Sequence, residues 1–147
     1  MIQKKISPRR AVYKKMGVEA ARAACSKKAS GITLYDVSAI SAPAEYILIA
    51  LADSPPQMEA VAEAIIKNFK SKCIIRLGED GKKSPLWRVL DYGGLIIHVM
   101  NHDTREFYAL DKIYSAAPAV KWEPAVRSSS KKAAGKPGKK RGTKDGR

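Results

Sequence analysis

The stretch from Trp87 to Met100 most constrains the fold. Two β-prone runs flank the break at Tyr92-Gly93-Gly94, which is the pattern of a β-hairpin. The second run, Leu95 to Met100, is apolar at every position except His98. A continuous apolar run of strand length is typical of a strand covered on both faces. The sequence therefore predicts a central strand that carries one imidazole.

Residues on the N-terminal side of this hairpin predict a helix and two strands. Ser7-Pro8 can start a helix that lies between Pro8 and Lys28, with Gly17 as a position that could divide it. A short strand is expected over Ile32–Val37. A buried strand is expected over Tyr46–Ala52, because that run is apolar throughout.

A second helix has a clear start at Ser54, where Ser54 and Gln57 form a capping box around Pro55. Cys73–Leu77 is predicted to be the strand after it, and the polar run 78–85 a loop. Strand, helix and strand within about thirty residues indicate a parallel βαβ unit. Apolar residues recur along the helix at three- and four-residue spacing: Met58, Val61, Ala62, Ile65, Ile66 and Phe69.

The fold class predicted from these elements is α/β, with a mixed, mostly parallel five-stranded sheet flanked by helices. A last helix is expected from Asp103 or Thr104 to Pro118. Its predicted buried face comprises Phe107, Leu110, Ile113 or Tyr114, and Ala117.

Charge divides the chain into three parts. Residues 1–30 hold nine Lys and Arg against one Glu, and residues 127–147 hold nine against one Asp, whereas residues 31–126 have a net charge of −2. We therefore expect a basic N-terminal helical segment over 1–30, an α/β core over 31–120 and a disordered basic tail over 121–147. Basic ends favour a polyanionic partner.

Cysteine usage and hydropathy point to a bacterial cytoplasmic protein. Cys25 and Cys73 make neither a disulfide framework nor a CxxC pair. No apolar run approaches the roughly 18 residues that a membrane span needs, and the basic start lacks the apolar stretch of a signal peptide. An organellar transit peptide is the weaker alternative.

His98 is the first candidate for chemistry. A catalytic base would need an orienting carboxylate and a reacting group within reach, and Asp91 lies near the hairpin turn rather than opposite His98. The pattern favours a hydrogen-bonded structural or binding residue. Two His in the whole chain, without a set of Cys or carboxylates at ligand spacing, argue against zinc.

Other candidates leave two readings open. Asp91 and the two glycines after Tyr92 are good turn residues, yet Tyr92 at a hairpin tip is expected to be an exposed aromatic, which is an interface signal. Trp87 fits either the core or a contact surface. The helix start at Asp53-Ser54-Pro55 could receive an anion, but the chain contains no P-loop and no GxGxxG.

Read in order, several motifs of the chain resemble the ribosomal silencing factor family, also called Iojap-like. The resemblance spans about residues 17–117. It rests on Tyr35-Asp36-Val37, Ala44-Glu45-Tyr46, Ser54 with Gln57, Trp87 followed by Leu90-Asp91-Tyr92-Gly93, His98-Val99, and Arg105-Glu106-Phe107-Tyr108-Ala109-Leu110. The chain departs from the family pattern at Glu45, Pro55-Pro56, Gly94 and Tyr114.

The resemblance implies a fold similar to nucleotidyltransferases without their metal-binding carboxylates, and a protein that is not an enzyme and has no cofactor. It implies a translation repressor that binds the large ribosomal subunit at large-subunit protein fourteen and blocks joining of the small subunit when nutrients are scarce. Ribosomal RNA would meet the basic ends, and the free protein could form a homodimer. The expected partner-binding residues are Tyr46, Trp87, Asp91, Tyr92, His98 and Arg105.

Two other function classes stay open from the residues. One is a degenerate nucleotidyltransferase-like enzyme, which needs metal-binding carboxylates near Ser54. The other is a general RNA-binding protein that acts through its basic ends.

Overall fold

The computed structural model describes residues 8–40 and 44–124. The predicted disordered tail lies outside these residues except for 121–124. The elements in chain order are α1 (Pro8–Ser26), β1 (Ser30–Asp36), β2 (Tyr46–Leu51), α2 (Pro55–Lys70), β3 (Gly78–Asp80), β4 (Trp87–Asp91), β5 (Leu95–Met100), α3 (His102–Tyr108), α4 (Leu110–Ile113) and β6 (Ala119–Val120).

The described strands form one six-stranded sheet in the order β3-β4-β5-β2-β1-β6. This confirms a mixed α/β fold and the β4–β5 hairpin. The prediction of five mostly parallel strands was wrong. Only β2 and β5 pair in parallel, and the other four strand pairs are antiparallel.

The error traces to the segment after α2. Cys73 adopts a left-handed backbone with φ 61°, and residues 73–77 form no strand. The chain instead makes β3 inside the predicted polar loop and pairs it with β4. After α2 the chain therefore re-enters the sheet at its edge, as β3, and the strand that pairs in parallel with β2 is β5, two strands later.

Helices α1 and α2 cover one face of the sheet and bury the main core. The alternation predicted for β5 is confirmed, because Leu95, Ile97 and Val99 point into this core while Ile96 and Met100 belong to the opposite face. The side chains that α1 and α2 contribute to the main core are Met16, Ala20, Ala21, Ala24, Met58, Val61, Ala62, Ile65 and Phe69.

Gly17 does not divide α1, which runs unbroken from Pro8 to Ser26. A Cβ atom at this position would lie 2.8 Å from a methyl group of Leu34. Glycine therefore lets the helix approach β1 closely, and its role is packing rather than helix interruption.

The capping box at the start of α2 is confirmed. Ser54 Oγ accepts from the Gln57 amide at 3.2 Å, and Gln57 Oε1 accepts from the Asp53 amide at 2.6 Å. Gln57 Nε2 also donates to the backbone carbonyls of Lys27 and Lys28. The Gln57 side chain thus joins the beginning of α2 to the turn that follows α1.

The predicted single C-terminal helix is two short helices. Its cap is Asn101, whose side chain accepts from the Thr104 amide, and Ala109 interrupts it with φ 52°. Leu110 is buried as predicted, but Phe107 is 80% exposed. The left-handed residue rotates α4 relative to α3, so the two helices do not share one continuous apolar stripe.

Trp122 shows that the folded part of the chain continues past residue 120. Its indole nitrogen donates to the Ile32 carbonyl at 3.2 Å, and its own carbonyl accepts from Arg22 Nε at 2.8 Å. The segment after β6 is therefore hydrogen-bonded to both β1 and α1.

Candidate functional site

The sheet face opposite α1 and α2 is only partly covered, and apolar side chains lie open to solvent at its edge. Because α3 and α4 are short, they leave β4 and the outer part of β5 accessible. We call the resulting cluster the aromatic patch. It comprises Trp87, His98, Phe107 and Tyr108, of which Phe107 and Tyr108 are exposed and Trp87 and His98 half-buried.

Ring contacts hold the aromatic patch together. Trp87 lies 4.8 Å from Tyr108 and 5.8 Å from His98, centroid to centroid. Phe107 meets Tyr108 edge-on at 5.0 Å. Aromatic pairs at these separations stabilise each other beyond their buried area, so the patch is a preformed surface.

His98 is fixed by Trp87, whose indole N–H donates to its Nδ1 at 3.0 Å. Burial lowers the pKa of His98 to about 4, so the ring is neutral at physiological pH. Because Nδ1 is the acceptor, the proton of the neutral ring sits on Nε2. This geometry fits the structural or binding reading of His98 rather than a general base.

Sequence reasoning missed two members of the aromatic patch. It placed Phe107 in the core and assigned no role to Tyr108. The sequence held only a weak signal: two consecutive helical residues point about 100° apart, so at most one of Phe107 and Tyr108 can lie at the centre of a buried helix face.

Tyr92 is buried, so the prediction of an exposed aromatic at the hairpin tip was wrong, whereas Tyr46 is buried as expected for its strand. Alternation along β2 and the hairpin turns both rings toward the helical layer. Tyr92 packs edge-on against Phe69 at 4.8 Å, and Tyr46 receives a hydrogen bond from Arg10. Burial raises the pKa of both hydroxyls. Neither ring is available to a docking partner in this conformation.

Asp91 has the turn role. Its Oδ1 accepts from the Gly93 amide at 2.8 Å, while Gly93 adopts φ 88°. This is the side-chain-to-backbone bond that aspartate makes two residues on in tight turns.

Arg105 is held inside the protein by a dense set of bonds. Its guanidinium donates two hydrogen bonds to the Asp111 carboxylate, of 2.7 and 2.9 Å, and a third to the Gly31 carbonyl at 2.6 Å. The Tyr35 hydroxyl donates to the same Asp111 at 2.6 Å. Burial together with Asp111 raises the pKa of Tyr35 to about 12, and Arg105 lowers the pKa of Asp111. Arg105 thus positions α3 and α4 against β1.

The start of α2 is poorly suited to an anion. Pro55 and Pro56 have no N–H, and the next two amides, of Gln57 and Met58, are bonded to Ser54. Beside it, His102 and Asp53 form an exposed pair at 3.2 Å.

Residues 8–40 and 44–124 contain no group of three or more His, Cys, Asp or Glu placed to hold a metal ion. Among the same residues, no helix combines the length and apolar character that a membrane span requires.

Comparison with known proteins agrees with these motifs. The family model described as "Ribosomal silencing factor during starvation" matches residues 12–146. The ribosomal silencing factor RsfS of Bacillus subtilis is 33% identical over 99 residues, which is 67% of this chain and 84% of the relative. RsfS of Haemophilus influenzae is 33% identical over 88 residues, or 60% of this chain and 86% of the relative.

The fold also matches a solved structure. A crystal structure of a protein from Chromobacterium violaceum superposes with a TM-score of 0.68 at 23% identity, covering 70% of this chain and 86% of that one. With a family model matched over most of its length, the chain belongs to the ribosomal silencing factor family.

Proposed function

We propose that this protein is a non-enzymatic translation repressor of the bacterial cytoplasm, which binds the large ribosomal subunit and sterically blocks joining of the small subunit under nutrient limitation. Membership of the silencing factor family supports a ribosome-associated regulator. The observation that carries the proposal is the aromatic patch, because the described residues offer a preformed contact surface there but no constellation for catalysis.

The aromatic patch has the composition of an interaction hot spot. Large aromatic side chains dominate the binding energy of protein interfaces, and exposed apolar clusters mark interaction sites. Phe107 and Tyr108 would contribute contact area, and half-buried Trp87 would form the floor. The predicted partner is large-subunit protein fourteen, with ribosomal RNA nearby.

His98 would add a directional hydrogen bond to this contact. Trp87 occupies Nδ1, so the Nε2–H of the neutral ring is the atom left to donate to a carbonyl or carboxylate on the partner. A neutral donor can enter an interface without the desolvation cost of a charge.

The test is co-sedimentation with purified large subunits, followed by a subunit-joining assay. Phe107→Ala with Tyr108→Ala should weaken binding at least tenfold, since each lost hot-spot aromatic costs about 1 kcal/mol or more. Ile75→Ala with Leu77→Ala is the matched control, because these apolar side chains are also well exposed but lie between α2 and β3, outside the aromatic patch. No binding by the unaltered protein, or equal losses in the two variants, would refute the proposal.

The structure offers the enzyme alternative no support. A nucleotidyltransferase needs converging carboxylates that hold metal ions, and the described residues contain no such group. Calorimetry with nucleotide and Mg²⁺ tests this alternative directly.

A further inference from the structure

The outward side of the helical layer carries a concentration of positive charge. We call it the basic helical surface and define it by six exposed side chains on α1 and the last turn of α2. They are Arg9, Lys14, Lys15, Arg22, Lys67 and Lys70. Both helices pack on the same sheet face, so these side chains project from one side of the molecule.

The acidic groups nearest to this surface are paired mostly with residues outside it. Glu63, one turn before Lys67 on α2, pairs with Arg88 at 3.4 Å. Glu19, the one acidic residue of α1, is paired with Lys72 at 2.5 Å. Arg9 has a long contact with Glu45 at 3.8 Å. Lys14, Lys15, Lys67 and Lys70 form no ion pair with any residue of 8–40 or 44–124. Unpaired like charges on adjacent helices repel one another, so the arrangement weakens the fold slightly and favours a polyanion.

The opposite side of the sheet has a different character. There α3 and α4 together carry three acidic and two basic residues, beside the aromatic patch. The two sides of the sheet therefore suit different partners, one apolar and near neutral, the other strongly basic.

We propose that the basic helical surface binds the sugar–phosphate backbone of RNA, so that the folded domain contacts protein with one side and RNA with the other. The inference rests on the proposed function for its setting, and it goes beyond it by assigning RNA contact to one folded surface that joins α1, within the basic N-terminal segment, to the last turn of α2.

A phosphate-rich membrane is the competing polyanion, and the side chains favour RNA. A helix that lies on a membrane needs a face of large apolar residues to insert. Among the described residues of α1 the exposed large apolar side chain is Val12, and Lys14 and Lys15 lie beside it. Ile75 and Leu77 are also exposed nearby, but they follow α2 and belong to no helix. The helices of this surface can therefore make electrostatic contacts with phosphates but present no apolar face to insert into lipid.

The test compares two charge-matched variants of the full chain for binding to a mixed-sequence 20-base-pair RNA duplex by fluorescence anisotropy across a salt series. The first carries K14Q, K15Q, K67Q and K70Q. The control carries K82Q, K83Q, K112Q and K121Q, four exposed lysines on other elements. Each variant removes four charges from the net +14, and glutamine keeps the helix propensity of lysine.

We expect the first variant to flatten the slope of log K against log salt by about two to four units, because each phosphate contact contributes about 0.9. The control should change it by less than one unit. Equal changes in both variants, or no change in the first, would overturn the proposal. Binding to vesicles with 30% phosphatidylglycerol as tight as to RNA at 150 mM salt would overturn the choice of RNA.

A failure of the proposed function can be distinguished from a failure of RNA binding by the basic helical surface. Phe107→Ala with Tyr108→Ala should leave the RNA slope unchanged. Loss of large-subunit binding with an intact lysine effect on the duplex would therefore count against the proposed function alone. Circular dichroism and thermal melting of each variant serve as the control that it is folded.

Discussion

At the residue scale, Glu45, Gly94 and Tyr114, which are expected to differ from the family pattern, each make specific contacts in the fold. Glu45 pairs with Arg10 Nε at 3.1 Å, and Tyr114 packs against Tyr35 at 5.7 Å. The Gly94 carbonyl accepts from the amides of Glu45 and Tyr46. These three residues thus contribute to the packing of α1, of the hairpin and of the C-terminal segment against the sheet.

Gly94 is the most constrained of these positions. A Cβ atom there would lie 2.3 Å from Cδ2 of Tyr13. Gly94→Ala should therefore lower the free energy of unfolding by about 1–3 kcal/mol, measured by urea denaturation. In a Tyr13→Ala background the same change should cost little, and an equal cost in both backgrounds would show that Tyr13 is not the cause.

His98 should make stability depend on pH. Its pKa in the folded protein, about 4, lies below the ordinary 6.5, so the unfolded chain binds the proton more readily. Stability is complete above about pH 6.5 and falls as the pH drops toward 4, by roughly 2–3 kcal/mol in all. The measurement is urea denaturation between pH 7.5 and 4.

His98→Gln is the control for this pH effect, because glutamine does not titrate. The carboxylates with lowered pKa, Asp36 and Asp111, lose their contribution mainly below pH 4 and remain in both proteins. An identical pH profile for the His98→Gln variant would contradict the assignment.

At the element scale, a few polar side chains add hydrogen bonds between elements that are far apart in the sequence. Gln57 links α2 to the end of the α1 turn. Arg105 and Asp111 link α3 and α4 to β1. These links fix where the elements lie and therefore shape the aromatic patch.

Gln57 offers a graded test of one such link. Gln57→Ala should lower the free energy of unfolding by about 1–3 kcal/mol, because it removes the acceptor for the Asp53 amide and both bonds to α1 carbonyls. Gln57→Glu keeps the oxygen that accepts from Asp53 but loses the N–H groups that donate to Lys27 and Lys28. Its loss of stability should therefore be confined to the turn that follows α1. Hydrogen exchange of the amides near Lys28 and Asp53 separates the two contributions, and uniform deprotection in Gln57→Glu would contradict this division.

The elements that sequence predicts well are those set by local chemistry. The capping box at Ser54 and the alternation along Leu95–Met100 depend on nearest neighbours and on burial, and both are confirmed. The errors sit at Cys73 and Ala109, two non-glycine residues with positive φ. Both follow the last turn of a helix, and their amides bond back to carbonyls of that turn. The change of chain direction at these residues precedes β3 and divides the last helix. The exposed positions of Phe107 and Tyr108 follow from that division.

At the scale of the whole molecule, the sheet separates two surfaces of different chemistry. One side holds the main core and the basic helical surface, and the other holds a smaller core and the aromatic patch. A protein that bridges a protein partner and RNA gains from this separation, because electrostatic contacts respond to salt and apolar contacts do not. Large-subunit binding should therefore weaken with salt but keep a salt-resistant part carried by the patch.

The boundary of the folded domain can be located by two truncations. Removal of residues 125–147 deletes a segment with no large apolar side chain beyond Val126, so we expect the free energy of unfolding to stay within about 0.5 kcal/mol. Removal of residues 121–147 also deletes Trp122, with its bonds to Ile32 and Arg22. Because a half-buried indole and two hydrogen bonds are lost, this cut should cost about 1–3 kcal/mol. Equal thermal midpoints for the two truncations would place the boundary at residue 120 instead of beyond Trp122.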